Sequence, residues 1–303
     1  MKQTNRPGFC ALCGQEKLKR QFSLAGHSFY KCRNCRLIQM SPLPESPKPG
    51  DDYSGYDLKK QQRFARAFLV PQSLRAVRFI QKYKKEGKLL DVGCGTGEFL
   101  YVARKAGFAA TGIEPSETAC KLARQKSGVI CGELKDIILG ESYFDVVTLW
   151  SVLEHVPDPL PALKKIYSTL KPDGILALRV PTSRGLLPSL ALRLYKISAG
   201  KISYPLKVIY QLDWHYKHFY FYDRKNIRLL LEKSGFELAA SKRENSFDIR
   251  SLDDRMDYLP KARIRRIAFK TALFLILKLS SLLRRQDELV LVARKIPAQT
   301  ASF

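Results

Sequence analysis

Leu89-Leu90-Asp91-Val92-Gly93-Cys94-Gly95-Thr96-Gly97-Glu98-Phe99-Leu100 decides how this chain folds. An apolar strand runs into a Gly-x-Gly-x-Gly turn, and a helical pattern begins directly after it. Glycine at alternate positions removes β-carbons and admits left-handed backbone, so a ligand can lie against main-chain amides. The following helix aims its free N-terminal amides at the same point. A dinucleotide fingerprint places its third glycine one position later, where this chain has Glu98, which disfavours a pyrophosphate. The next apparent strand, Ala109-Ala110-Thr111-Gly112-Ile113-Glu114, ends in a carboxylate about 20 residues past the loop, where a ribose-binding acid belongs. Loop, spacing and acid together point to a nucleoside ligand.

Outward from the loop, short apolar runs alternate with amphipathic ones. Candidate strands are Leu89 to Val92, Ala110 to Glu114, Val129 to Cys131, Val146 to Trp150 and Ile175 to Val180. Such alternation predicts a parallel α/β sheet. Upstream, Lys59 to Lys85 carries Phe64, Phe68, Leu69, Leu74, Val77, Phe79 and Ile80 at helical spacing, broken by Pro71. Two helices on the edge of the fold are predicted there. With 303 residues and 45% hydrophobic content, the chain can form one sizeable domain plus an appendage and is too apolar for disorder. Its net charge of +25 exceeds what solubility requires, so an anionic partner is expected, of a kind the charge does not specify.

Of the seven cysteines, Cys94, Cys120 and Cys131 are scattered, and the other four form a pattern. Cys10-Ala-Leu-Cys13 and Cys32-Arg-Asn-Cys35 are two knuckles at the separation of about 15 to 20 residues found in zinc ribbons. Two tight turns, each presenting two thiolates, complete a closed tetrahedral site, so the expected metal is a structural zinc. A redox dithiol is the rival reading, which paired knuckles in so short a segment disfavour. His27, between the knuckles, reads as a surface residue. The prolines of Ser41 to Pro49 end this module. No apolar leader opens Met1 to Gly8, so a reducing cytoplasm is the expected compartment.

The glycine loop, Gly112-Ile113-Glu114-Pro115, Phe144-Asp145-Val146-Val147, Leu153-Glu154-His155-Val156-Pro157-Asp158-Pro159 and Leu170-Lys171-Pro172-Asp173-Gly174 together resemble the class I S-adenosylmethionine-dependent methyltransferases. Order and spacing match from Lys88 to about Pro181. The resemblance implies a Rossmann-like α/β sheet, here with an N-terminal zinc ribbon and added helical insertions. It implies that Asp91, Gly93, Gly95 and Gly97 hold the methionyl part of S-adenosyl-L-methionine and that Glu114 holds the ribose. Glu133 faces the adenine, with Asp136 as a competing choice. The expected division is a zinc ribbon at 1–48, a linker and helices at 49–87, and the cofactor domain at 88–303, with insertions at about 184–212 and 250–286.

A branch of that family with an N-terminal ribbon, a proline stretch and an aromatic segment like Asp52-Tyr53-Ser54-Gly55-Tyr56 is associated with sugar or glycan modification. The acceptor is therefore expected to be a small molecule or a glycan- or lipid-linked group. The Asn-Pro-Pro-Tyr type motif of base-methylating relatives is missing after the fourth strand, and nucleic acid is the less favoured partner. Related quinone-biosynthesis O-methyltransferases carry Glu-His at Glu154 and His155, with a further acid where this chain has Ser151. For His155 itself, capping or core hydrogen bonding is preferred to catalysis.

Trp214-His215-Tyr216-Lys217-His218-Phe219-Tyr220-Phe221-Tyr222 is a dense aromatic block. The family's histidine three residues before a phenylalanine, leading into a helix and Gly-Phe, is met by His218, Phe221 and Ser234-Gly235-Phe236. Methyl transfer from a sulfonium needs alignment first, and a base only where the acceptor must lose a proton. His218 is the candidate base, with His215 and Tyr222 behind it. Equally open is a structural role, in which the aromatics close the pocket and His218 makes an ordinary hydrogen bond. Arg184 to Leu212 reads as an inserted lid.

Ile267 to Leu283 is apolar apart from Lys270, Lys278 and a few hydroxyls, and lies between Arg263-Ile264-Arg265-Arg266 and Arg284-Arg285. It falls short of the about 20 apolar residues of a span, and its lysines would be costly in one. Phe236 to Ala240 and Glu288 to Arg294 resemble the family's last two, mutually paired strands, which a span would separate across the bilayer. The segment is expected to lie on an anionic membrane surface or to cover a core or partner face.

Overall fold

The computed structural model describes residues 8–43, 63–213, 216–249, 252 and 263–297. The Asp52 to Tyr56 segment and most of the proline stretch lie outside them, as do Trp214 and His215. The N-terminal strands are β1 (Leu18–Leu24), β2 (His27–Cys32) and β3 (Ile38–Met40). A π-helical turn at Ala65–Leu69 then continues without a break into helix α1 (Val70–Ile80). This corrects the expectation of two helices divided at Pro71. Proline lacks an N–H and crowds the carbonyl of residue i−4, and the wider π turn ahead of it accommodates both defects.

From there the elements alternate: β4 (Gly87–Val92), α2 (Glu98–Lys105), β5 (Phe108–Glu114), α3 (Glu117–Arg124), β6 (Gly128–Cys131), β7 (Phe144–Trp150), α4 (Pro159–Thr169) and β8 (Leu170–Pro181). Helices α5 (Leu186–Ile197) and α6 (Tyr204–Ile209) precede the short strand β9 (Tyr220–Phe221). The chain then forms α7 (Arg224–Lys233), β10 (Phe236–Glu244), α8 (Arg263–Leu282) and β11 (Glu288–Lys295).

Seven strands form the central sheet in the order β10-β11-β8-β7-β4-β5-β6. The pairs from β8 to β6 are parallel, while β11 runs antiparallel to both β8 and β10. Parallel strands are covered on both faces and so carry continuous apolar runs. Leu89, Leu90, Val146, Val147, Leu149, Leu176 and Leu178 are accordingly wholly buried. The strand order reverses at β4, between β5 and β7, and ligands bind in this architecture outside the strand ends at such a reversal.

β1, β2 and β3 form a second sheet completed by β9, a strand from far along the chain. Met40 N donates to Phe219 O at 2.8 Å, and Phe22, Phe29, Tyr210 and Phe221 pack their rings across the junction. The inserted segment read as a lid is thereby fixed, with Leu206, Tyr210 and Leu212 buried in the core and Tyr195 Oη donating to Ser23 O at 2.7 Å. Aromatic burial, invisible in a linear reading, joins this insertion to the core. A further difference concerns Cys120 and Cys131, read as scattered. Helix α3 lies against β6, and the two cysteines form a disulfide.

Candidate functional site

Asp91 is the penultimate residue of β4 and Glu114 ends β5, so parallel pairing brings both carboxylates to the mouth of the glycine loop. Gly93 and Gly97 have φ of 70° and 84°, and a β-carbon on Gly93 would stand 2.5 Å from Val152 Cγ2. Gly93 N and Cys94 N both donate to Ile113 O, which binds the loop to β5. Glu114 accepts from Gly95 N at 2.8 Å and from Ser116 N at 3.0 Å. A carboxylate at this place is the acceptor type that ribose hydroxyls require. Asp91 is buried and accepts from Thr148 Oγ1 at 2.6 Å. Burial, reinforced by the charge of Glu114, pushes Asp91 up to about 8. A cationic ligand would restore its charge. Glu133 is half-buried just beyond β6, where Gly132 N bonds Glu114 O, whereas Asp136 is exposed.

The zinc candidates are brought together from two turns. Cys10 Sγ lies 3.4 Å from Cys35 Sγ, and Cys13 Sγ lies 3.6 Å from Cys32 Sγ. All four sulfurs fall within 4.8 Å of one another. A tetrahedral zinc with bonds of about 2.3 Å spaces its sulfurs about 3.8 Å apart, so the donor set fits the metal. A contact with Cys35 lowers Cys10 to about 5, while that same contact and burial push Cys35 up. One thiolate forms readily, and further ionisation awaits a cation.

Past β7 the chain makes a short turn, Leu153–His155, that faces the aromatic block. Phe219 N donates to Glu154 O at 2.8 Å and His155 Nδ1 meets Lys217 O at 2.9 Å, so the two segments are laced by backbone. His218 Nε2 stands 4.0 Å from Glu154 Oε1, and the His155 and His218 ring centroids are 4.9 Å apart. Glu154, His155 and His218 each offer a donor atom within 4.8 Å of the others. His218 joins the Glu154–His155 pair from a separate element of the chain.

Burial pushes Glu154 up to about 8 and His155 down to about 4, leaving both neutral near pH 7. Tyr222 is fully buried by its neighbours, and burial raises it well above the ordinary phenol. Neither Tyr222 Oη, Glu154 Oε2 nor Trp150 Nε1 has a hydrogen-bond partner among the described residues. Buried orphan polar atoms are rare in folded proteins, and these three lie at or beyond the ends of the parallel strands, where ligands bind in such sheets.

A charged network beside this cluster escaped the sequence reading. Arg179, buried in β8, pairs with Glu244 at 3.1 Å and Glu288 at 3.2 Å and lies 5.3 Å from the Trp150 ring centroid. Its signal was a lone arginine inside the apolar run Ile175 to Val180. Thr148, the partner of Asp91, gave no signal at all.

An α/β sheet with a glycine loop and two strand-end acids at its switch point defines a nucleoside-binding enzyme fold. A family profile described as a methyltransferase domain matches residues 60–241, and the chain belongs to that family. The ubiquinone biosynthesis O-methyltransferase of Actinobacillus pleuropneumoniae serotype 7 is 39% identical over 102 residues, covering 29% of this chain and 43% of that enzyme. Its counterpart in Coxiella burnetii is 32% identical over 104 residues, covering 32% and 44%. The matched stretch thus spans less than half of these relatives. Among solved structures, an S-adenosylmethionine-dependent methyltransferase from Archaeoglobus fulgidus superposes with a TM-score of 0.53 at 21% identity, over 80% of this chain and all of that one. A methyltransferase from Haloferax volcanii, solved with its Trm112 activator, gives 0.54 at 15%, over 79% and 95%. These two likenesses establish the fold.

Proposed function

We propose that this protein transfers a methyl group from S-adenosylmethionine to a hydroxyl on a small molecule, free or carried by a glycan or lipid. The observation that carries this reading is the junction of cradle and cluster, where the glycine loop abuts Val152, two residues before Glu154. Asp91 and the loop amides would take the methionyl end, Glu114 the ribose and Glu133 the adenine. The bound sulfonium supplies the methyl group and a good leaving group, so alignment of the acceptor accounts for most of the catalysis.

As the acceptor oxygen forms its bond to carbon and the carbon–sulfur bond breaks, the hydroxyl proton needs a receiver. His218 takes it, and the Glu154 carboxyl 4.0 Å away, neutral in the free protein, turns its carbonyl oxygen toward the imidazolium that forms. Tyr222 and Trp150 offer donors to orient the acceptor oxygen. Cys10, Cys13, Cys32 and Cys35 hold a structural zinc outside this chemistry. The basic helix α8 brings the protein to an anionic membrane surface, where a lipid-borne acceptor resides.

Gly95→Asp tests the cradle, because its side chain would occupy the ligand's place. Calorimetry should find micromolar-range binding of S-adenosylmethionine to the wild type and none to the variant. Tight NAD binding without S-adenosylmethionine binding would overturn the reading. A second reading, a divalent cation held by Glu154, His155 and His218, is favoured by their convergence. His155 is pre-set for it, since the Lys217 carbonyl engages Nδ1 and leaves Nε2 toward the group. Loss of turnover on chelation, restored by added metal, separates it from the simple base.

A further inference from the structure

Helix α8 is built the wrong way round for a helix that serves only its own domain. Its inward side is held largely by polar groups: Ser280 Oγ donates to Asn245 Oδ1 at 3.0 Å, and Asn245 Nδ2 donates to Ser281 Oγ at 3.2 Å. Leu277 is the one apolar side chain of α8 that is fully buried among its described residues. Ile264, Ile267, Ala268, Leu275, Leu279 and Leu282 recur at helical spacing on the opposite side, and all are exposed. Ile264 is 83% exposed, Leu275 61% and Leu282 80%. An amphipathic helix of a globular domain turns this stripe toward the core, and a contiguous exposed stripe of this size marks a docking surface.

Helix α5 extends the surface. It packs against α8, with Arg285 Nη2 donating to Ser189 Oγ at 2.8 Å and Leu186 N to Arg285 O at 2.7 Å. Its far end exposes Ile197 at 84% together with Leu194, beside Arg193 and Lys196. Arg265, Lys278, Arg284 and Lys201 add positive charge around the apolar residues, and no acid occurs in α5 or α8. Among the described residues no helix is long and apolar enough to cross a membrane. Exposed apolar side chains ringed by cations fit shallow insertion between anionic headgroups.

The platform is rooted at the candidate acceptor site. Thr182 N donates to Asp287 O at 2.8 Å just below α8, Thr182 bridges Tyr222, and Tyr222 N donates to Pro181 O at 3.1 Å. Asp287 in turn holds Ser246 N at 3.0 Å. We infer that α5 and α8 form a docking face for an anionic lipid bilayer, set so that an acceptor in that bilayer meets the Glu154, His218 and Tyr222 cluster. Delivery of the acceptor rests on the transferase reading above, whereas vesicle binding does not.

The test is co-sedimentation of the full chain with vesicles of phosphatidylcholine alone or mixed with phosphatidylglycerol, at low and high salt. Binding should require the anionic lipid. The exposed pair Leu275→Ser/Leu279→Ser should lower partitioning about tenfold or more while circular dichroism and S-adenosylmethionine affinity stay at wild-type values. Absence of sedimentation with anionic vesicles at low salt would overturn the inference, as would equal partitioning of the double variant. Sedimentation velocity showing a dimer that the two serines dissociate would reassign the face to a second copy of the chain. Because cofactor affinity is measured separately, failure of the docking face cannot be mistaken for failure of the transferase reading.

Discussion

His218 carries the sharpest expectation at the scale of single residues. Its ring is buried between His155, Phe221 and the Glu154 carboxyl. His218→Gln should therefore lower kcat about 100- to 10,000-fold and leave calorimetric cofactor affinity intact. An unchanged rate with the true acceptor would return the ring to a packing role. Asp91 yields a pH prediction. Its folded pKa of about 8 lies above the usual carboxylate range, so the free protein holds a proton there at pH 7. Below about pH 4 folded and unfolded chains are both protonated at this group, and its contribution to stability is fully present. As pH rises to about 8 the unfolded chain releases the proton more readily, and that contribution is lost. A ligand carrying a positive amino group prefers the carboxylate. S-adenosylmethionine affinity should then rise from pH 6 to pH 8.5 with proton release, measurable by calorimetry in buffers of different ionisation enthalpy, and Asp91→Asn should abolish the slope.

At the scale of elements, the four-cysteine module, the candidate zinc ribbon, is tied to the candidate site. β3 pairs with β9, and β9 lies between His218 and Tyr222, so the ribbon's sheet sets the position of both candidate side chains. Arg36 reaches Asp223, the cap of α7, at 3.5 Å, and Lys233 Nζ donates to Leu12 O at 3.0 Å, which clamps the ribbon on either side of the same helix. Cys32→Ser should release one zinc per chain by elemental analysis. Cofactor binding should survive, because the module's strand pairing and polar ties run to β9 and α7, while turnover falls with the loosening of β9. Loss of cofactor binding in a variant whose α/β domain remains folded would contradict this division of labour. The helical expectation that failed, a break at Pro71, depended on how the turn ahead of the proline is wound.

For the whole molecule, the charge of +25 finds a physical use at the face formed by α5 and α8, where cations surround apolar residues. Phosphate attraction is screened over about 8 Å at physiological ionic strength. Partitioning onto anionic vesicles should consequently fall steeply between 0.05 and about 0.5 M salt. Cofactor affinity, which depends on a buried cradle, should change little over that range. If both fall together, the charge acts on the fold and not on a partner. Nucleic-acid binding would share the salt dependence but would be indifferent to serine at Leu275 and Leu279, since backbone recognition has no use for them.

The sequence by itself determined the parallel sheet, the glycine loop with its strand-end acid, and the paired cysteine knuckles. Each of these is local or strictly periodic: a turn needs its glycines in place, a buried strand needs its apolar run, and a thiolate pair needs one tight turn. Tertiary structure alone decided what joins across distance. It brought His218 to Glu154 and His155, paired β3 with β9, set Arg179 between Glu244 and Glu288, joined Cys120 to Cys131, and turned the apolar side of α8 outward. The reason is that contacts between residues tens to hundreds of positions apart depend on which faces the whole chain has already buried. A helix's apolar stripe shows in its spacing, but the direction it faces is settled only by the surface left for it to cover.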